Sequence, residues 1–137
     1  LGDVYKRQAE EQFHQAVSLD QTDATAFRYL GDVQLARGNR TGAELAYRNA
    51  VRWAPNMAAA HRGLGNVYEE EGLLEPALIA YQRALALARD DPELHLAVAR
   101  CAWGLGRRAL ACEAGERGLW LAPHHPGLLD LATACGR

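Results

Sequence analysis

AFRYLGDVQLARGNRTGAELAYRNAVRWAPN, residues 26–56, contains two helices and the turn between them. Phe27, Leu30, Gly31 and Gln34 stand at i, i+3, i+4 and i+7, one stripe of a helix; Ala43, Tyr47, Ala50 and Val51 form a second stripe of the same period. Gly38 lies between the stripes, where a residue in the left-handed region can end a helix without the ~1 kcal/mol or more that a Cβ costs in that conformation. Thr41 and Glu44 have the spacing of a capping box and predict the start of the second helix.

The same unit returns every 34 residues. Gly38, Gly72 and Gly106 form one column, and Ala43, Ala77 and Ala111 a second. Leu30, Leu64 and Val98, each followed by a small residue (Gly31, Gly65, Ala99), form two more. Tyr47 and Tyr81 share a column, as do Ala50, Ala84 and Gly118, while Pro55 and Pro123 bracket one in which Arg89 is the exception. Asn56, Asp91 before Pro92, and His125 before Pro126 mark where each next unit begins, since proline suits a helix's first turn. The small columns predict close approach between the two helices of a unit, Gly31, Gly65 and Ala99 facing Ala43, Ala77 and Ala111. No unit buries its own stripe alone, so stacked neighbours complete the core and the fold class is an all-α solenoid of antiparallel helix pairs.

A 34-residue helix-turn-helix unit with large-x-x-Leu-Gly-x-x-Tyr, then Ala-x-x-x-aromatic, then proline, resembles the tetratricopeptide repeat. His61, Leu64, Gly65, Tyr68, Ala77, Tyr81 and Ala84 carry the pattern most closely, and Phe27, Leu30, Gly31, Ala43, Tyr47, Ala50 and Pro55 nearly as well. Full units are expected at 24–57, 58–91 and 92–125, with a half repeat at 9–23 and, at 126–137, the first helix of a further repeat or a cap. The sequence departs from the family pattern at Gln34 and Ala102, which replace tyrosine, at His61 and His95, which replace the first large aromatic, and at Gly115, which replaces an aromatic. Gly115 and Gly118 within one helix each cost about 1 kcal/mol relative to alanine, so the helix near 108–121 is expected to be the least protected.

With 137 residues, 49% of them hydrophobic, the chain can bury one substantial core without metal or disulfides. Its 15 basic and 17 acidic residues give no overall attraction to nucleic acid or an anionic membrane, and neither is expected as a partner. Three cysteines, Cys101, Cys112 and Cys135, are an odd number without close-paired spacing; they read as reduced thiols in a helical interior, which favours the cytoplasm. No apolar run approaches the roughly 20 residues needed to span a bilayer as a helix.

Candidate chemistry reduces largely to repeat architecture. His61 and His95 share a column facing a neighbouring helix, which suits packing plus one hydrogen bond; His124 and His125 lie in a linker without the spacing of a zinc site. Gly104, Gly106 and Ala109 spell G-x-G-x-x-A, but a helix precedes them where a dinucleotide site needs a strand. Asn39-Arg40-Thr41 matches a glycosylation acceptor and reads as a turn and cap. No catalytic, cofactor-binding or metal-ligating residues are assigned, and the chain is not expected to be an enzyme.

The resemblance implies that the first helices of successive units line a concave groove for an extended or helical segment of a protein partner. Carried onto this sequence, the groove consists of Arg28, Asp32 and Leu35, then Arg62, Asn66 and Glu69, then Leu96, Arg100 and Trp103, each trio spaced i, i+4, i+7. The three arginines suit carboxylates of an acidic peptide, and Leu35 and Trp103 suit apolar side chains. Arg62 and Asn66 resemble half of a carboxylate clamp, while Ala97, Gly127 and Leu131 stand where its other half requires polar residues. The expected function is thus a protein-interaction scaffold, with the interaction or oligomerisation segment of a larger enzyme or signalling protein as the alternative.

The 34-residue ruler also sets residues 1–8 apart. Ala9, Phe13 and Ala16 fall one period before Ala43, Tyr47 and Ala50, but upstream the turn glycine is due where Val4 stands. Lys6 is the only lysine, and residues 3–8, DVYKRQ, resemble the in-frame translation of a transposon mosaic end used as a library adapter. Residues 1–8 are therefore read as a scar. The remainder is expected to be a fragment of a longer bacterial protein, with Phe13 and Val17 lacking a covering helix and an apolar last helix.

Overall fold

The computed structural model describes residues 2–19 and 23–136, with the backbone alone at 13–19. Eight helices and no strands occur among the described residues: α1 (Gly2–Leu19), α2 (Ala24–Ala36), α3 (Arg40–Trp53), α4 (Ala58–Glu70), α5 (Leu74–Leu87), α6 (Pro92–Gly104), α7 (Arg108–Leu121) and α8 (Pro126–Ala134). The surroundings of Phe13 and Val17 lie outside the described side chains. Residues 2–8, set apart by the repeat ruler, form one continuous helix with those after them. Lys6 Nζ donates to Ala36 O at 3.2 Å.

Each helix packs on the next in sequence, and α2 also touches α4. The hairpins α2–α3, α4–α5 and α6–α7 turn through Gly38, Gly72 and Gly106 at φ +80°, +76° and +77°, as the glycine column requires. At each turn the residue after the glycine donates back to a carbonyl five residues earlier: Asn39 to Gln34 at 2.9 Å, Leu73 to Tyr68 at 2.8 Å and Arg107 to Ala102 at 2.9 Å. This is the six-to-one bond that satisfies a helix's orphan carbonyls.

The caps differ in part from expectation. Asn39 caps α3, its Oδ1 accepting from Gly42 N at 3.0 Å, so Thr41 and Glu44 form no capping box. Helix α4 starts after Met57, which makes no side-chain cap, and Asn56 lies in the preceding turn. Asp91 caps α6 as its place before Pro92 suggests, accepting from Glu93 N at 2.9 Å.

Two tyrosines organise the core. Tyr47 and Tyr81 are the largest fully buried side chains, each 1% exposed. A Cβ on Gly31 would lie 2.6 Å from Tyr47 Cε1, and one on Gly65 2.6 Å from Tyr81 Cδ1. The small column of the first helices thus receives an aromatic ring from the second helix; the expected partners, Ala43, Ala77 and Ala111, are fully buried around it. Tyr47's ring also meets Gly63 of the following repeat. In the third repeat the tyrosine column holds Gly115, and Leu131 of α8 fills the space, its Cδ2 2.5 Å from where a Cβ would stand. Gly118 likewise receives Leu128, whose Cδ2 is 2.8 Å from such a Cβ. Both glycines are buried contact points.

The cysteines require a correction. Cys112 on α7 and Cys135 at the end of α8 form a disulfide with a Cα–Cα separation of 5.9 Å, and only Cys101 is a free, buried thiol. The odd count concealed one pair formed by neighbouring repeats and one leftover core residue.

Candidate functional site

The two histidines of the first-helix column are structural. His61 Nε2–H donates to Pro55 O at 2.8 Å and His95 Nε2–H to Arg89 O at 3.0 Å, and both rings are buried. Each ties the start of a first helix to the linker before it. Among the described residues no group of three or more His, Cys, Asp or Glu is placed to hold a metal ion, and no helix is long and apolar enough to cross a membrane.

The expected groove residues separate into three places. Arg28 and Asp32 of α2, with Arg62 and Asn66 of α4, line one recess of about 270 Å³ together with Asp91 at the start of α6. Within it Arg28 Nε lies 3.3 Å from Asp32 Oδ2, and Arg62 Nη1 donates to Asp91 Oδ2 at 3.2 Å. Asp32 is also held from below, its Oδ1 accepting from the Tyr47 hydroxyl at 2.5 Å. Burial, and then the bond to Asp32, hold the Tyr47 hydroxyl far above the usual phenol range, so it stays a donor.

The second place joins α4 to α6. Arg100 Nε and Nη2 donate to Glu69 Oε2 and Oε1 at 2.5 and 2.8 Å. Tyr81 shares its hydroxyl proton between Asn66 Oδ1 at 2.6 Å and Glu69 Oε1 at 3.0 Å. With Asn66 Oδ1 committed to that acceptor role, its amide NH2 remains as a donor. The Arg100 hydrogen bonds hold the Glu69 carboxyl below the usual range against the opposing effect of partial burial. Cys101 Sγ lies 3.9 Å from Glu69 Oε2, and burial foremost, with the Glu69 charge second, pushes that thiol up to about 11.

Trp103 occupies the third place alone, 40% exposed, with the Arg108 guanidinium 5.4 Å from its ring centroid. The two expected aliphatic positions are less available. Leu35 packs against the core cluster around Ala43, Tyr47 and Leu64, and Leu96 is half-buried, its Cδ2 3.0 Å from where a Cβ on Gly127 would stand.

The arginines expected to await a partner's carboxylates therefore each have an intramolecular one: Asp32 for Arg28, Asp91 for Arg62 and Glu69 for Arg100. A guanidinium has five N–H donors; Arg62 spends one of them and Arg100 two, while Arg28 meets Asp32 as an ion pair without a hydrogen bond, so donors are left over. Sequence reading missed Asp91 and the two tyrosine hydroxyls. The signal for the hydroxyls was present: Asp32–Tyr47 and Asn66–Tyr81 are the same pair of columns one repeat apart.

A stack of helix hairpins that lays a polar, partly apolar stripe across adjacent first helices defines a helical-repeat scaffold. The sequence matches the tetratricopeptide repeat family model over residues 6–52 and 30–92, more than half of its length, and the chain belongs to that family. A search of curated proteins finds no match. Among solved structures, a MamA protein is similar at 24% identity and a TM-score of 0.80, with 85% of this chain and 63% of MamA covered. YrrB, described as a tetratricopeptide repeat protein with an unusual peptide-binding site, aligns at 22% identity and a TM-score of 0.86 over 98% of this chain and 69% of its own. A chain of the APC/C hetero-tetramer Cut9–Hcn1 aligns at 22% identity and 0.82 over 93% of this chain and 26% of its own. These likenesses show the fold; the chain spans less than two thirds of the MamA length.

Proposed function

We propose that the face formed by α2, α4 and α6 binds an extended segment of a protein partner that carries acidic residues. The supporting observation is the recess in which Arg28, Arg62 and Asn66 converge with donors to spare while Asp32 and Asp91 fix the guanidinium orientations. A partner carboxylate accepts from the remaining N–H groups of Arg62 or displaces Asp91, the NH2 of Asn66 binds a peptide carbonyl, and Trp103 provides the apolar end of the stripe. The paired aspartates make the recess selective, since a carboxylate that fits poorly must compete with one already in place. YrrB's described peptide-binding site, on the same fold, agrees with this reading.

The test is selection of peptides from a random displayed library on the purified chain, followed by titration of the enriched sequences. Enrichment of Asp and Glu is expected, with affinity lowered about tenfold or more by Arg62→Glu at unchanged melting temperature. Enriched peptides without acidic residues, or binding indifferent to Arg62→Glu, would overturn the assignment.

A further inference from the structure

We infer that Cys112 and Cys135 are a site of reversible thiol–disulfide exchange whose redox state sets the docking of α8. The repeat columns identify what the bond replaces. Cys112 and Cys135 lie 34 residues after Leu78 and Cys101. In the preceding repeat that pair belongs to one apolar core cluster, with Leu78 1% and Cys101 0% exposed. At the same place one repeat later, a covalent bond takes over from packing.

Besides the disulfide, α8 meets the preceding repeat through a few side chains. Leu128 is fully buried on it. Leu131 reaches Gly115, Arg108 Nη2 donates to Ala134 O at 2.8 Å, and His125 Nε2 pairs with Glu93 Oε1 at 2.6 Å at an exposed edge. A bond between cysteines 23 residues apart restricts how far an undocked α8 can move away.

Both cysteines border open space. Cys112 and Cys135 are half-buried and line an open hollow of about 710 Å³ bordered by Trp120, which is 89% exposed. Cys101 is fully buried and takes no part. The reactant is a dithiol of the kind disulfide oxidoreductases carry. Its thiolate attacks one sulfur to give a mixed disulfide, and its second thiol displaces that sulfur. Cys112 and Cys135 leave as two thiols and the dithiol becomes a disulfide, so two electrons and two protons pass to the chain.

The experiment uses the whole chain after equilibration with oxidised glutathione. Denaturing alkylation without reductant should add one group, at Cys101, and after treatment of the folded chain with a dithiol it should add three. Amide exchange at 126–134 should quicken about tenfold or more on reduction while 58–87 stays within about twofold. The double variant Cys112→Ser, Cys135→Ser should show the fast pattern in either buffer. Three alkyl groups before reduction, a bond that yields to dithiol only in denaturant, or unchanged exchange at 126–134 would each overturn the inference.

Discussion

Arg100 of α6 grips Glu69 of α4 through two parallel hydrogen bonds, and Glu69 in turn accepts from the hydroxyl of Tyr81, which belongs to the helix between them. One carboxylate thus links two repeats. Its pKa lies below the usual carboxylate range, so it contributes stability that is present above the unfolded carboxylate pKa, roughly 4.3, and lost as pH falls through the lower folded value. Arg100 is half exposed, which limits the contribution to about 1 kcal/mol or less. Urea midpoints at several pH values should show Glu69→Gln flattening this acid limb, with the wild type and variant converging at low pH.

Gly65 should not tolerate alanine. Its Cβ would lie 2.6 Å from the Tyr81 ring, and that ring is 1% exposed with no room to retreat. Gly65→Ala is expected to cost about 1–3 kcal/mol in urea unfolding, despite the better helix propensity of alanine. Pairing it with Tyr81→Leu should cost less than the sum of the two single changes, because the collision is then removed.

The two glycines of α7 should behave differently. Gly118 faces Leu128, fully buried, and His95 Cβ at 3.2 Å, neither of which can yield. Gly115 faces the tip of the half-buried Leu131, which can rotate away. Gly118→Ala is therefore expected to lose about 1–3 kcal/mol, and Gly115→Ala to stay within about 1 kcal/mol of wild type, by thermal or urea denaturation.

Tyr47→Phe removes a buried hydroxyl that donates to Asp32 at 2.5 Å and leaves the ring in place. The expected loss is about 1 kcal/mol, with the helical circular dichroism unchanged. Asp32 then loses the bond that fixes it beside Arg28, so peptides selected on the wild type should bind the variant more weakly although residue 47 does not line the recess.

The architecture was legible because a repeat states its own rules several times over. Gly38, Gly72 and Gly106 recur at the spacing of a turn, and all adopt positive φ; His61 and His95 recur on the packing stripe, and both are buried. The groove was legible only as a stripe. Which carboxylate each arginine meets depends on the offset between stacked repeats: Arg62 reaches Asp91 and Arg100 reaches back to Glu69, separations no single helix period encodes. Caps failed locally for a related reason, since Asn39 and Thr41 both suit a helix start and only backbone geometry selects Asn39. The disulfide was not legible in the cysteine count, because its pairing depends on contact between α7 and α8; Cys112 and Cys135 stand one period after Leu78 and Cys101, which share a core cluster.

Tyr47 stands against Gly31 in its own repeat and Gly63 in the next, so one ring belongs to two units. In a linear array where each unit feels only its neighbours, such a shared side chain raises the energy of a boundary between folded and unfolded segments at that point. A melting front that enters this array from either end should therefore pause on the near side of Tyr47 and cross the first two repeats in a single step.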